Sequence, residues 1–292
     1  MTPLTRRQFV GSCAAAGVAV VGGEALAHET RDLEVTRHAV PGAHIGGGAK
    51  GQRLRLAHLT DLHLRSFGDY QARVADAVNA ARPDVILFTG DSIDRRRNLP
   101  VFADFLAALD EETPKFAIVG NWEHQCRVDF AALSKLYAAH NGRLLVNESV
   151  TFTHAGRELL VTGLDDFLRG EPSLVRALEG VRPCPSHVLL AHCPAHRDAM
   201  RADRDGGDAA ALARFRPQLA LAGHTHGGQV NIGGFCPWRP GGSGRYVSGW
   251  YTDVMPHLYV SRGIGVVDVP IRFGARPEVA ILEWPDDGHV LA

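Results

Sequence analysis

Cysteine is scarce in this chain, with five among 292 residues, too few to staple a disulfide-dense scaffold. A surplus of positive charge is missing as well. Lys and Arg total 31 against 32 Asp and Glu, a formal net charge of −1, so the electrostatic footprint of a nucleic-acid binder is lacking and nucleic acid is not expected as a partner. No apolar run reaches the ~20 residues of a spanning helix. The uncharged stretch 9–23 is fifteen residues long. At 45% hydrophobic and 22% charged residues, the chain is far from the disordered regime and can bury a sizeable core in one large or two small domains.

Residues 1–27 read as an address. Arg6 and Arg7 precede the Ala- and Gly-rich run 13–21, and Ala25-Leu26-Ala27 follows it. A charged start, a short apolar centre and an A-x-A end are the layout of a secretory signal. The paired arginines resemble the bacterial twin-arginine type. That resemblance implies recognition by twin-arginine export machinery, cleavage after Ala27, and a periplasmic or cell-envelope location. Cys126, Cys184, Cys193 and Cys236 would then meet an oxidising compartment, where pairing is open to them.

Residues 28–50, with Pro41-Gly42 and Gly46-Gly47-Gly48, look like a leader strand or linker, and a single domain is expected over 51–292. Alternating or continuous apolar runs predict strands at 54–59, 84–89, 116–119, 158–162, 187–191, 218–222, 257–260 and 278–283. Helical spacing predicts helices at 72–81 and 101–109, and a third capped by Asp129 and stopped by Asn141-Gly142. Strands alternating with helices indicate an α/β domain with a largely parallel sheet component.

The chemistry stands where the strands stop. Five apolar runs lead into Asp61-Leu62-His63, Gly90-Asp91, Gly120-Asn121, His192, and Gly223-His224-Thr225-His226. In open α/β sheets, ligands gather at the carboxyl ends of strands, so two Asp, one Asn and four His are expected on one rim. Singly, each motif is ordinary turn chemistry or a hydrogen-bonded histidine. Jointly, they point to a metal site, because turns do not select imidazole four times. In extended backbone, residues two apart share a side, which would aim Asp61 and His63 at one ion. Imidazole and carboxylate without thiolate suit Mn, Fe or Zn rather than a closed structural zinc site. Seven ligands fit two divalent ions sharing a carboxylate, the arrangement that hydrolyses phosphoester or phosphoanhydride bonds through metal-bound hydroxide.

These motifs, in this order over residues 54–226, resemble the calcineurin-like metallophosphoesterase family. Gly223 to Gln229, the stretch 258–265 and Pro270-Ile271-Arg272-Phe273 resemble its exported bacterial phosphodiesterases, a branch related to UDP-2,3-diacylglucosamine diphosphatases of lipid A synthesis. The resemblance implies a two-sheet β-sandwich flanked by helices, a four-layer α/β/β/α fold. It also implies a first metal on Asp61, His63 and His226, a second on Asn121, His192 and His224, and Asp91 bridging. One position departs from the family: Trp122 stands directly after Asn121, where the family has His. His124 is the candidate substitute acid, with Trp122 as a pocket wall.

The Gly/Pro-rich loop 233–246 follows the last ligand, and its Trp238, Arg239 and Arg245 are candidates to meet an anionic or glycolipid substrate. Arg95-Arg96-Arg97 either attracts phosphate or is a solvated turn. The expected activity is exported phosphodiesterase or pyrophosphatase action on an envelope metabolite. The competing readings are a metal-dependent envelope binding protein with little catalysis, marked by Trp122, and a protein phosphatase. No amphipathic anchor stands out, so membrane contact is expected only as a peripheral one.

Overall fold

The computed structural model describes residues 29–42, 53–203, 205–267 and 270–285. The export signal, its cleavage point and the glycines at 46–48 lie outside the described residues. In chain order the first half holds β1 (Glu34–Ala39), β2 (Leu54–Leu59), α1 (Asp69–Ala81), β3 (Val85–Thr89), α2 (Leu99–Ala108), β4 (Lys115–Ile118), α3 (Asn121–Gln125), α4 (Phe130–Ala139) and β5 (Gly142–Leu144). The second half holds β6 (Glu148–His154), β7 (Arg157–Gly163), α5 (Leu174–Ala177), β8 (His187–Leu190), α6 (His196–Ala202), α7 (Asp208–Phe215), β9 (Leu219–Ala222), β10 (Gly249–Tyr251) and β11 (His257–Val260). Strand β12 (Glu278–Trp284) then returns to the first sheet.

Two six-stranded sheets result, ordered β1-β12-β2-β3-β4-β5 and β10-β11-β9-β8-β7-β6. Within the first, β2 to β5 run parallel. Within the second, β7, β8, β9 and β11 run parallel, with antiparallel β6 and β10 at the edges. The alternation along each strand explains the layering. In β3, Val85 and Leu87 face the other sheet, where they meet Leu56, Ile118, Val161, Leu190, Leu221 and Trp284. Its Ile86 and Phe88 face outward onto α1, α2 and α4 through Val74, Val78, Phe102, Phe105, Leu133 and Tyr137. The second sheet packs Leu160, Leu189 and Ala220 on Leu174, Met200 and Phe215 of its own helices. Central strands covered on both faces therefore read as continuous apolar runs. The fold is an α/β/β/α sandwich.

Local signals account for the helix ends. Asp129 Oδ1 accepts from Ala131 N at 2.9 Å and Ala132 N at 3.3 Å, and Asn141 stops α4 with φ 54°. Helix α1 begins at Asp69, three residues before the apolar periodicity does, and Arg82 ends it with φ 49° ahead of Pro83. Residues 34–39, in the stretch read as leader strand or linker, pair in parallel with β12. The sheet thus reaches back to Glu34, ahead of the expected domain start at residue 51. Strands β5, β6 and β10 and helices α3, α5, α6 and α7 are additional to the elements predicted from the sequence.

Candidate dinuclear metal centre

The parallel strands all present their carboxyl ends on one rim, and the five turns there carry the seven candidate side chains. Asp61, His63, Asp91, His224 and His226 adopt left-handed φ of 52°, 45°, 53°, 69° and 52°. Such values cost non-glycine residues about 1–2 kcal/mol each and concentrate at functional sites. They also correct the expectation for Asp61 and His63. Strand β2 ends at Leu59, so the pair shares a side because two left-handed turns fold the chain, not because extended backbone alternates. Glycine precedes three of the turns for steric reasons. A Cβ on Gly90 would lie 2.5 Å from Gly120 N, one on Gly120 2.3 Å from Asp91 Oδ1, and one on Gly223 2.2 Å from Asp61 Oδ2.

Donor atoms converge in two overlapping groups. Asp61, His63 and His226 form one, with His63 Nε2 and His226 Nε2 3.2 Å apart and His226 Nε2 3.5 Å from Asp61 Oδ1. In the other, His192 Nε2 lies 3.0 Å from Asn121 Oδ1 and 3.2 Å from His224 Nδ1. Asp91 sits between them: its Oδ2 is 3.7 Å from His63 Nε2 and 3.2 Å from His192 Nε2. The seven side chains thus form one continuous cluster of donor atoms, and six of them are buried.

The outer ring nitrogens show which way the lone pairs point. His63 Nδ1 donates to Asp94 Oδ1 at 2.8 Å, His192 Nδ1 to Thr89 O at 2.7 Å, and His224 Nε2 to Gly241 O at 2.6 Å. In each neutral ring the proton is held outward and the inward nitrogen is left as a lone pair, the second-shell arrangement that orients metal-ligating imidazoles. His226 differs, since its Nδ1 faces the Arg272 Nη2 donor at 3.5 Å. The donor set therefore fits divalent cations.

Charge around the cluster follows the same logic. Burial pushes the Asp91 carboxyl up, but His192 and His63 beside it prevail and hold it below its ordinary range. Burial lowers His192, yet Asp91 outweighs it and His192 ends well above the ordinary imidazole value. His63 is raised likewise, by Asp94 and Asp91 against burial. Burial, His63 and Arg272 together push His226 well below. The carboxylates thus draw positive charge into a dry site.

Of three supporting residues, Glu123 and Asp94 carry no signal that sequence reasoning used, and Arg272 entered only within the Pro270–Phe273 motif. Buried Glu123 accepts from Gly120 N at 2.9 Å, Asp91 N at 2.9 Å and Ser92 N at 2.7 Å, tying two ligand turns together. Asp94 holds His63 and also pairs with Arg65. Arg272, fully buried, donates to the carbonyls of Arg262 at 2.8 Å, Gly265 at 3.1 Å and Ala275 at 2.8 Å. Burial lowers its pKa to about 10. Cys193, left out of the thiolate-free reading, places its sulfur beside His192 and His224. Burial and Asp166 raise this thiol well above its ordinary value, so it is neutral.

The remaining candidates sit around the rim. Trp122 donates its backbone N–H to Asp91 Oδ1 at 2.8 Å and sets its ring edge-on to His63 at 5.6 Å. His124 Nε2 is 2.6 Å from Asp165 Oδ1. Arg245 pairs with Asp253 and covers Tyr246, while Trp238 and Arg239 are exposed. Arg95, Arg96 and Arg97 are all exposed in and before a short turn. Cys126, Cys184, Cys193 and Cys236 are free thiols.

The chain belongs to the calcineurin-like phosphoesterase family, whose model matches residues 54–228, a span holding all seven converging residues. Two relatives align over nearly the whole length. An uncharacterized metallophosphoesterase of Bacillus subtilis, YkuE, is 29% identical over 294 residues, covering 96% of this chain and 98% of its own. Phosphodiesterase YaeI of Escherichia coli is 28% identical over 289 residues, covering 96% and 99%. Family and ligand set together define a metal-dependent phosphoester hydrolase.

Proposed function

We propose that the chain is an exported dinuclear phosphoesterase that cleaves a phosphodiester or pyrophosphate bond of an envelope metabolite, with a UDP-2,3-diacylglucosamine-like glycolipid as the candidate class. The observation that carries the two-ion reading is Asp91 Oδ2, placed within 3.7 Å of His63 Nε2 and 3.2 Å of His192 Nε2. Asp61, His63 and His226 would hold one ion, Asn121, His192 and His224 the other, and Asp91 would bridge them. When bound, a pair of Mn, Fe or Zn ions supplies Lewis acidity to the phosphoryl oxygens and acidifies water towards pKa ~7.

The chain's own groups do the rest. Asn121 and His124 stand three residues apart on α3, which puts them on one helix face. Asp165 accepts from His124 Nε2–H and so fixes the ring, leaving Nδ1 as the nitrogen that would exchange a proton with the leaving oxygen. Trp122 walls the pocket in place of the family's histidine. A cavity of about 480 Å³ beside His63, lined by Leu62, Leu64, Phe105 and Ile264 with Arg31 and Arg65, supports a substrate that is partly apolar and anionic. Arg6-Arg7 and Ala25-Leu26-Ala27 support export. A fusion of residues 1–30 to a reporter should reach the periplasm; a reporter retained in the cytoplasm refutes export.

Metal analysis together with phosphomonoester, phosphodiester and nucleotide-sugar substrates tests the activity. Two divalent ions per chain and diester or pyrophosphate turnover are expected, with the Asp91→Asn variant inactive. Full metal loading without hydrolysis of any of them would instead favour the envelope binding protein that Trp122 suggests.

A further inference from the structure

The loop that leaves the metal centre is built as a tip. Ile232 and Phe235 exchange both backbone hydrogen bonds, at 2.9 Å and 3.1 Å, so they are directly opposed and project to the same face. Between them Gly233 and Gly234 take φ of 60° and 96°, the doubly left-handed pattern of a tight hairpin turn. A Cβ built on either glycine meets no atom within 4 Å, so the turn stands clear of the described chain. At this tip Ile232, Phe235 and Trp238 are 57%, 67% and 63% exposed. Phe273, whose backbone pairs with Gln229 and Asn231 at the hairpin's base, is 39% exposed. Single exposed apolar residues are ordinary; several large ones together mark a contact surface.

The loop is also held in place. His224 donates to Gly241 O at 2.6 Å, Ala195 N donates to Gly242 O at 3.0 Å, and the Cys236 sulfur fills the space where Gly228 would carry a Cβ. Its apolar end is therefore fixed beside the turns that carry His192, His224 and His226. Charge narrows the partner. No carboxylate occurs between Asp208 and Asp253, and the hairpin carries exposed Arg239. A protruding apolar end with Trp and Arg at its shoulder matches an interface of acyl chains below anionic headgroups.

We propose that the 229–246 loop docks this protein on an anionic phospholipid bilayer, with Ile232, Phe235 and Trp238 entering the interface. Docking needs no bound metal, so it stands apart from the phosphoesterase reading. A small apolar tip with one basic residue gives reversible, salt-sensitive attachment.

Flotation of the full chain with phosphatidylcholine vesicles, with and without phosphatidylglycerol, tests it. The wild type should float with the anionic vesicles, and its tryptophan emission should shift to the blue. The I232S/F235S variant should lose about tenfold or more in vesicle binding while still hydrolysing bis-p-nitrophenyl phosphate like the wild type. R239Q should lose binding to anionic vesicles only. Wild type that stays with neither vesicle, or a double variant that floats equally well, overturns the proposal. So does a concentration-dependent dimer that the double variant abolishes, which would make a second copy the occupant. Lost diester hydrolysis with intact flotation would instead count against the catalytic reading alone.

Discussion

Replacing Glu123 by Gln should loosen the centre without touching a ligand. The carboxylate takes three buried N–H groups, from Gly120 and Asp91 on one oxygen and Ser92 on the other. Gln offers one carbonyl oxygen and one NH2, so at least one backbone donor must face another donor. An orphaned buried donor costs about 1–3 kcal/mol, and the retained bonds lose their charge assistance. Part of this is offset because burial and the Asp91 charge already push the Glu123 carboxyl up. The net expectation is about 2–3 kcal/mol of lost stability, read by urea unfolding. Because Asp91 N is among the three donors, manganese affinity should also fall about 10–100-fold, read by calorimetric titration. Unfolding within about 0.5 kcal/mol of wild type, with unchanged manganese affinity, would refute the reasoning.

Other expectations follow from the same contacts. Asp91→Asn should lower diester hydrolysis by at least about 10²-fold and reduce bound metal as measured by elemental analysis. Gly223→Ala drives a Cβ to 2.2 Å from Asp61 Oδ2, so it should release metal while a smaller change is seen in unfolding. His124→Ala should cost about 10²–10⁴-fold on an alkyl diester but little on p-nitrophenyl esters, whose leaving group needs no proton; equal effects on both would remove its role as acid. Burial lowers His196 to about 4, beneath its unfolded value of ~6.5. Between those values the unfolded chain takes up a proton that the folded chain does not, so stability present above pH ~6.5 is lost as pH falls towards ~4. The loss is about 3 kcal/mol at most for this one imidazole, and His196→Leu should flatten urea-derived stability across that window by a similar amount.

Much of the architecture was legible because local rules and global packing agree. The apolar run of β3 says that both of its faces are covered, Asp129 announces a helix start, and the polar residues after five strands announce a rim. Illegible features are those that a neighbour distant in sequence supplies. Residues 28–50 read as leader strand or linker alike, and only the pairing of β1 with β12 decides for a strand at 34–39. Glu123 reads as one more acidic residue until the turns at Gly90 and Gly120 close around it. Arg272 stands in the sequence as one residue of the Pro270–Phe273 motif, and only the fold spends its donors on the carbonyls of three separate residues.

The chain alone determined which donor types exist and in what order, since carboxylate and imidazole at strand ends are fixed by covalent sequence and by the two-residue and 3.6-residue periods of its elements. Only the tertiary structure decided how they point. Alternation would have aimed Asp61 and His63 by strand geometry, but five left-handed residues turn the side chains inward instead. Asp94, Thr89 and Gly241 then choose which nitrogen of each ring faces the cluster. Such choices depend on backbone conformations that are unfavourable locally and persist because packing from both sheets over-determines them.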